Sequence, residues 1–168
     1  MSFFWFFITF VILQRLSELL IAKKNERKLL PAGAVEYDNG GYKFIVIMHI
    51  SFFISLVCEK VFLNTELNPF WIFLLIIFLS AQTLRYWVIS SLGEHWNTRI
   101  IVLPGAKLIK KGPYKFLKHP NYIAVIVELA VIPLLFSCYI TSAVFAIINL
   151  IVLSRRVKLE ERVLGYRK

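Results

Sequence analysis

The chain has 168 residues, 58% hydrophobic and 15% aromatic, with a mean hydropathy of +0.69 and a net charge of +10. Charged residues make up only 18%, and several apolar runs reach the length of a bilayer-spanning helix, which excludes an ordinary soluble domain. The positive balance raises nucleic acid as a partner, an idea that the placement of the basic residues decides.

The first apolar run, Ser2–Ala22 (SFFWFFITFVILQRLSELLIA), has no basic segment before it and no small-residue cleavage site after it. It is expected to be a retained helix and not a cleaved signal. In the polar stretch KKNERKLLPAGAVEYDNGGY, Pro31, Gly33, Gly40 and Gly41 are expected to break any long helix. A second span covers Lys43–Leu63, and the break NTELNP leads to a third, Phe70–Leu92. Gly93–Pro120 is too charged to cross a membrane. Asn121–Phe136 and Tyr139–Ser154, separated by the uncharged tip SCY, are either two short tilted spans or a helical hairpin. The tail RRVKLEERVLGYRK carries Val157, Leu159, Val163 and Leu164 among its charges, the pattern of a helix lying along the membrane surface.

These elements describe an all-α integral membrane protein with five transmembrane helices, ending in a helical hairpin. Residues 1–92 form a three-helix membrane region, and residues 93–168 hold the polar stretch, the hairpin and the tail. The basic residues set the orientation. Lys23, Lys24, Arg27, Lys28 and Lys43 lie in the first loop. Arg99, Lys107, Lys110, Lys111, Lys115 and Lys118 lie in the second polar stretch, and Arg155, Arg156, Lys158, Arg162, Arg167 and Lys168 in the tail. The loop between spans two and three has only Lys60, and the tip between spans four and five has none. With the N-terminus outside and the C-terminus cytosolic, every one of these positives but Lys60 faces the cytosol of a multi-pass protein in the bacterial plasma membrane. Orientation explains the charge, and nucleic acid does not.

Cys58 and Cys138 form no CxxC and join no histidine, so neither a disulfide nor a metal site is expected; both read as small buried hydrophobes. The chemistry concentrates in GPYKFLKHPNY, Gly112–Tyr122, before the fourth run. Pro120 and Asn121 suit a helix start. Tyr114, His119 and Tyr122 are not explained that way. In the tail, Arg156 and Glu160 stand at i,i+4, as an ordinary salt bridge would. A hairpin returns that face to the same membrane edge as His119, which is what a polar cofactor beside a lipid-soluble substrate needs. Gln14, Arg15 and Glu18 inside span one either wall a chamber or snorkel to the cytosolic edge, and His49, Arg85 and Glu128 raise the same question. The phenylalanines are expected to face lipid and fill the core.

The pattern KLIKKGPYKFLKHPNY, then a hairpin, then RVKLEERVL, resembles the isoprenylcysteine carboxyl methyltransferase family of membrane enzymes. QRLSELLIAKKNERKLLPAGAVEY resembles the N-terminal part of its small bacterial members. Lys118 stands where the family usually has arginine, and GYRK where many members continue into FGxxYxxY. The resemblance implies an S-adenosylmethionine cofactor and makes residues 93–168 the cofactor-binding region. Lys107, Leu108 and Ile109 match the segment that contacts the cofactor, and Tyr114, His119, Pro120, Asn121 and Tyr122 match its pocket. Glu160 matches the carboxylate at the cofactor's charged end, and Arg156 the residue that holds the acceptor; these two are the expected catalytic pair. Asn97 and Arg99 are expected to face substrate, beside Trp96.

The resemblance thus implies a methyltransferase acting on an acidic oxygen, carboxylate or enol, of a lipophilic molecule within membrane lipid. Members of similar length and N-terminal pattern are linked to methylation of alkylpyrones made by type III polyketide synthases, which makes an alkylpyrone the first choice of acceptor. A prenylcysteine or phospholipid is the second choice. The residues also admit a membrane-embedded NADPH-dependent reductase of the sterol type, whose tail would continue in a Lys-Tyr-Gly-type segment, and a non-enzymatic scaffold.

Overall fold

The computed structural model describes residues 2–38 and 40–165. Asn39 of the first loop and Arg167 and Lys168, two of the tail positives, lie outside the described residues. Five helices carry the fold: α1 Ser2–Leu29, α2 Gly41–Phe62, α3 Trp71–Leu92, α4 Pro120–Leu135 and α5 Tyr139–Val163. Between them lie two short antiparallel strands, β1 Val35–Glu36 and β2 Ile101–Val102, with Val35 opposite Val102.

Each helix buries one stripe and leaves the rest greasy. In α1 the buried positions include Phe4, Phe7, Val11, Gln14, Glu18, Ala22, Asn25 and Leu29, recurring every three or four residues on one face. Phe6, Leu13 and Leu20 on the other faces are exposed, which suits acyl chains and not water. Helices α1, α2, α3 and α5 are long and apolar enough to cross a bilayer, so the chain is a multi-pass membrane protein. Helix α4 has 16 residues, a rise of about 24 Å against a hydrocarbon core of roughly 30 Å.

Two boundaries differ from the sequence expectation. Helix α1 continues past Ala22 to Leu29, because Lys23–Leu29 contains good helix formers and the first breaker is Pro31. Helix α5 runs unbroken into the tail, so residues 155–163 are its last turns and not a separate surface helix. Its buried stripe simply continues from Phe145 and Asn149 through Leu153 and Arg156 to Glu161.

Helix α4 packs between α3 and α5, and α2 packs against α5. The dry core lies where α1, α3 and α5 begin. There the Phe136 ring stands edge-on to Phe4 at 4.9 Å and meets Phe7 at 5.6 Å, and Phe7 meets Phe78 at 5.1 Å. Glu59 of α2 caps α5 at this end, its carboxylate accepting from the backbone N–H of Ile140 at 3.0 Å and of Thr141 at 2.7 Å. The neighbouring Lys60 is buried in the last turn of α2 and does not belong to the following loop. Cys138 is buried as expected, whereas Cys58 is exposed on the outer face of α2.

Midway along the bundle the helices share a polar belt. Glu128 of α4, 1% exposed, accepts from Gln82 Nε2 at 2.7 Å, from Arg85 Nε at 2.9 Å, and from Arg85 and Arg15 through further close contacts. Arg15 also donates to Glu18 at 2.7 Å, and Gln14 donates to Glu18 and Gln82. The span-one polar residues therefore turn inward and do not snorkel. Two arginines and two carboxylates balance in charge, the condition under which buried ions persist in a bilayer. His49 stands apart from these bonds, its Nδ1 2.8 Å from the Ile45 carbonyl one turn earlier.

Candidate functional site

The end of the bundle opposite the phenylalanine core is built from the C-terminal ends of α1, α3 and α5 and the start of α4. Asn25 of α1 fixes the chain leaving α3, donating to the carbonyls of Gly93 at 3.0 Å and Trp96 at 2.7 Å. Trp96 is buried with Ala22 and Val88. Gly112 sits at φ +57, where a Cβ would collide with the Ser91 hydroxyl and come within 3.0 Å of the Trp87 indole nitrogen. Only glycine fits this left-handed, close approach to α3. The turn it opens delivers Tyr114 to the Trp96 cluster and brings the chain to the start of α4, where Pro120 occupies the first turn.

A cleft opens there. Of the residues singled out in the sequence, Lys107, Leu108, Ile109, Tyr114, His119, Asn121, Tyr122, Arg156, Glu160, Asn97 and Arg99 line it. Pro120 does not; it is buried and shapes the site only by starting α4. Lys107–Ile109 belongs to no helix or strand, so its backbone polar groups have no ladder to join.

At the head of the cleft the Tyr122 phenol joins α4 to α5. It donates to Glu160 Oε2 and accepts from Arg156 Nε at 3.0 Å. Arg156 Nη2 donates to the Thr98 carbonyl at 2.6 Å, and Nη1 is buried with no hydrogen-bond partner among the described residues. Among the described residues Arg156 and Glu160 form no ion pair, so the i,i+4 salt bridge suggested by spacing gives way to a bridge through Tyr122. His119 stacks on Tyr122, with ring centroids 5.3 Å apart and planes 15° from parallel. Its Nδ1 lies 3.9 Å from Glu160, and its Nε2 lies 3.5 Å from Glu161 without making a hydrogen bond.

Arg99 is committed elsewhere. Its Nη1 reaches Glu36 at 3.1 Å and Glu26 at 3.7 Å, and the guanidinium lies 4.8 Å over the Tyr42 ring. Burial lowers the pKa of this guanidinium, but the two carboxylates outweigh burial and raise it. Arg99 thus ties α1, β1 and the start of α2 to the loop beside the cleft. Asn97 likewise turns inward, donating to the Ala22 carbonyl at 3.4 Å. Asn121 sits in the first turn of α4, and its Oδ1 accepts from Arg85 Nη1 at 3.4 Å.

Sequence reasoning missed two parts of the site. The Thr98 carbonyl is a backbone group with no residue signature. The link from Asn121 through Arg85 to Glu128 was accessible only as the general rule that a mid-membrane arginine seeks a carboxylate.

The cleft is lined by Arg156 and Glu160, which share the Tyr122 hydroxyl, beside a stacked imidazole. It can hold an anion against Arg156 and a cation against Glu160.

Residues 73–165 match the model of the isoprenylcysteine carboxyl methyltransferase (ICMT) family. The chain is 44% identical over 161 residues to the uncharacterized protein YpbQ of Bacillus subtilis, covering 96% of each. It is 28% identical over 162 residues to an uncharacterized protein of Haemophilus influenzae, covering 95% of this chain and 94% of that one. No solved structure matches. The matched segment takes in most of α3, the whole cleft and the α4–α5 hairpin, and the chain therefore belongs to the isoprenylcysteine carboxyl methyltransferase family of membrane methyltransferases.

Proposed function

We propose that the protein is an S-adenosylmethionine-dependent O-methyltransferase acting on an acidic oxygen of a lipophilic acceptor at the cytosolic membrane edge. The observation that carries this reading is the Arg156–Tyr122–Glu160 bridge, with Arg156 Nη1 left unpartnered among the described residues. A buried donor without a partner is costly, and an anionic oxygen is the group that satisfies it.

The donor set also fits the cofactor. Glu160 offers negative charge to the cofactor's cationic groups, and the unladdered backbone of Lys107–Ile109 suits an adenosine moiety. When bound, S-adenosylmethionine supplies an electrophilic methyl group whose departure leaves a neutral thioether. A carboxylate or enolate already bears the attacking lone pair, so the chain's task is alignment and exclusion of water rather than proton abstraction. Arg156 holds the acceptor anion, and Tyr122 keeps Arg156 and Glu160 at fixed separation. His119 and Tyr114 shape the cofactor side.

This reading takes the chain as five-span with its N-terminus outside. Helix α4 starts at the cleft and ends at Phe136, which packs on Phe4, so its rise of about 24 Å runs between the cleft end and the phenylalanine core of the bundle. An alkylpyrone is the acceptor we favour. Its 4-hydroxy-2-pyrone head is a vinylogous acid with a planar anion, and its alkyl tail partitions into the bilayer. A type III polyketide synthase is the corresponding source of substrate.

Calorimetric titration of the purified protein in nanodiscs tests the cofactor, with S-adenosylhomocysteine and NADPH as ligands. Binding of the first alone is expected. Binding of NADPH alone would replace this reading with a reductase, and binding of neither would remove the enzyme. Methyl transfer from labelled S-adenosylmethionine to an alkylpyrone, a prenylcysteine and a phospholipid then ranks the acceptors.

A further inference from the structure

The cleft and the buried polar belt meet at Asn121. Asn121 lines the cleft, and its Oδ1 accepts from Arg85 Nη1 at 3.4 Å. Arg85 is 2% exposed; Glu128 holds its Nε and Nη2, and its Nη1 also lies 3.5 Å from Glu18. Glu128 is held in turn by Gln82 and Arg15. The guanidinium cannot swing away from Asn121 without stranding buried carboxylates.

This fixes the polarity of Asn121. A guanidinium has five donors and no acceptor, whereas an amide has an acceptor oxygen at one end and a two-donor nitrogen at the other. Only the oxygen satisfies Arg85, so Nδ2 becomes the end left for the cleft. Among the described residues Nδ2 has no hydrogen-bond partner, and it is not one of the buried atoms left unsatisfied.

We propose that Arg85 is a positioning residue that commits Asn121 to donate an N–H to an acceptor atom of the molecule in the cleft. This rests on the methyltransferase reading, under which that atom is a carboxylate oxygen or an adenine ring nitrogen of the cofactor. Without Arg85 the amide turns over freely and offers its oxygen as readily as its nitrogen. The belt therefore does more than hold helices together: it sets what the cleft recognises.

Asn121→Asp separates recognition from folding. The side chain keeps its shape and gains an ion pair with Arg85, while the donor becomes an acceptor. The dissociation constant for S-adenosylhomocysteine should rise tenfold or more with an unchanged or higher melting temperature. Unchanged or tighter binding overturns the proposal. A double-mutant cycle then tests the role of Arg85. If Arg85 acts through Asn121, Arg85→Gln with Asn121→Ala binds no more weakly than Asn121→Ala alone, whereas additive losses overturn the positioning role. Should Arg85→Gln fail to fold, Arg85→Lys enters the same cycle, because it keeps a cation beside Glu128. Absence of binding by the unaltered protein would instead overturn the methyltransferase reading, and this inference with it.

Discussion

The Tyr122 phenol donates a hydrogen bond to Glu160 while accepting one from Arg156, so two residues four apart on α5 are joined through a side chain of α4. Arg156→Lys keeps the charge but removes both the Nε donor and the planar guanidinium. Misplacement of a reactant by about 1 Å costs on the order of 100-fold in rate. Turnover of Arg156→Lys should fall by about that factor while S-adenosylhomocysteine binding stays nearly unchanged. Glu160→Gln removes a charge at the cofactor side, where a charged hydrogen bond contributes roughly 1.5–3 kcal/mol, so affinity should fall at least tenfold. Small, equal effects in both variants would reduce the bridge to a surface contact.

His119→Ala should weaken cofactor binding more than it lowers the maximal rate. The imidazole stacks on Tyr122 and lines the cleft, and the carboxylates of Glu160 and Glu161 lie 3.9 and 3.5 Å from its nitrogens. Kinetics at saturating cofactor check this. A variant that binds S-adenosylhomocysteine normally yet turns over slowly would make His119 a catalytic residue instead.

Orientation has an independent test in intact cells. In a background with Cys58→Ser and Cys138→Ser, a cysteine at Asn64 should react with a membrane-impermeant maleimide and one at Lys110 should not. The opposite labelling would put the cleft outside the cell and sever it from cytosolic cofactor.

Glu128→Leu should be the most damaging single change in the belt. It leaves Arg85 and Arg15 with Glu18 as their one remaining shared carboxylate, so one buried positive charge loses its balance at a cost of about 3–5 kcal/mol. Unfolding in mild detergent should shift accordingly. Arg15→Leu should cost less, because Arg15 is about one-fifth exposed and Gln82 and Arg85 still satisfy Glu128. Equal losses would show that the belt acts only as a unit.

The helices and the cleft-lining segments were legible in the sequence because each leaves a local pattern. Apolar runs marked α1, α2 and α3, and the GPYKFLKHPNY and RVKLEE segments marked both sides of the cleft. What was not legible depends on register between distant helices. Nothing near Gln14 announces Gln82, and nothing near Arg156 announces the Thr98 carbonyl. The strands β1 and β2, at two residues each, are too short for alternation to register. The tail misled because Val157, Leu159, Val163 and Leu164 suggested a new amphipathic element. The stripe that matters there, Leu153, Arg156 and Glu161, contains two charged residues and hides from a hydrophobicity pattern.

The cap that Glu59 places on α5 also bears on how the protein is made and how freely its parts can be exchanged. Helix α2 leaves the ribosome long before α5, so the acceptor for the Ile140 and Thr141 amides is already in the membrane when the hairpin arrives. The family match begins at residue 73, beyond Glu59 and beyond Gln14, Arg15 and Glu18 of the belt. A chimera that keeps residues 73–165 but takes its first two helices from elsewhere brings an α5 whose first turn has lost its cap. Grafting the matched segment alone leaves those two amides without Glu59, a loss of about 1 kcal/mol that an equivalent acceptor in the host helices would restore.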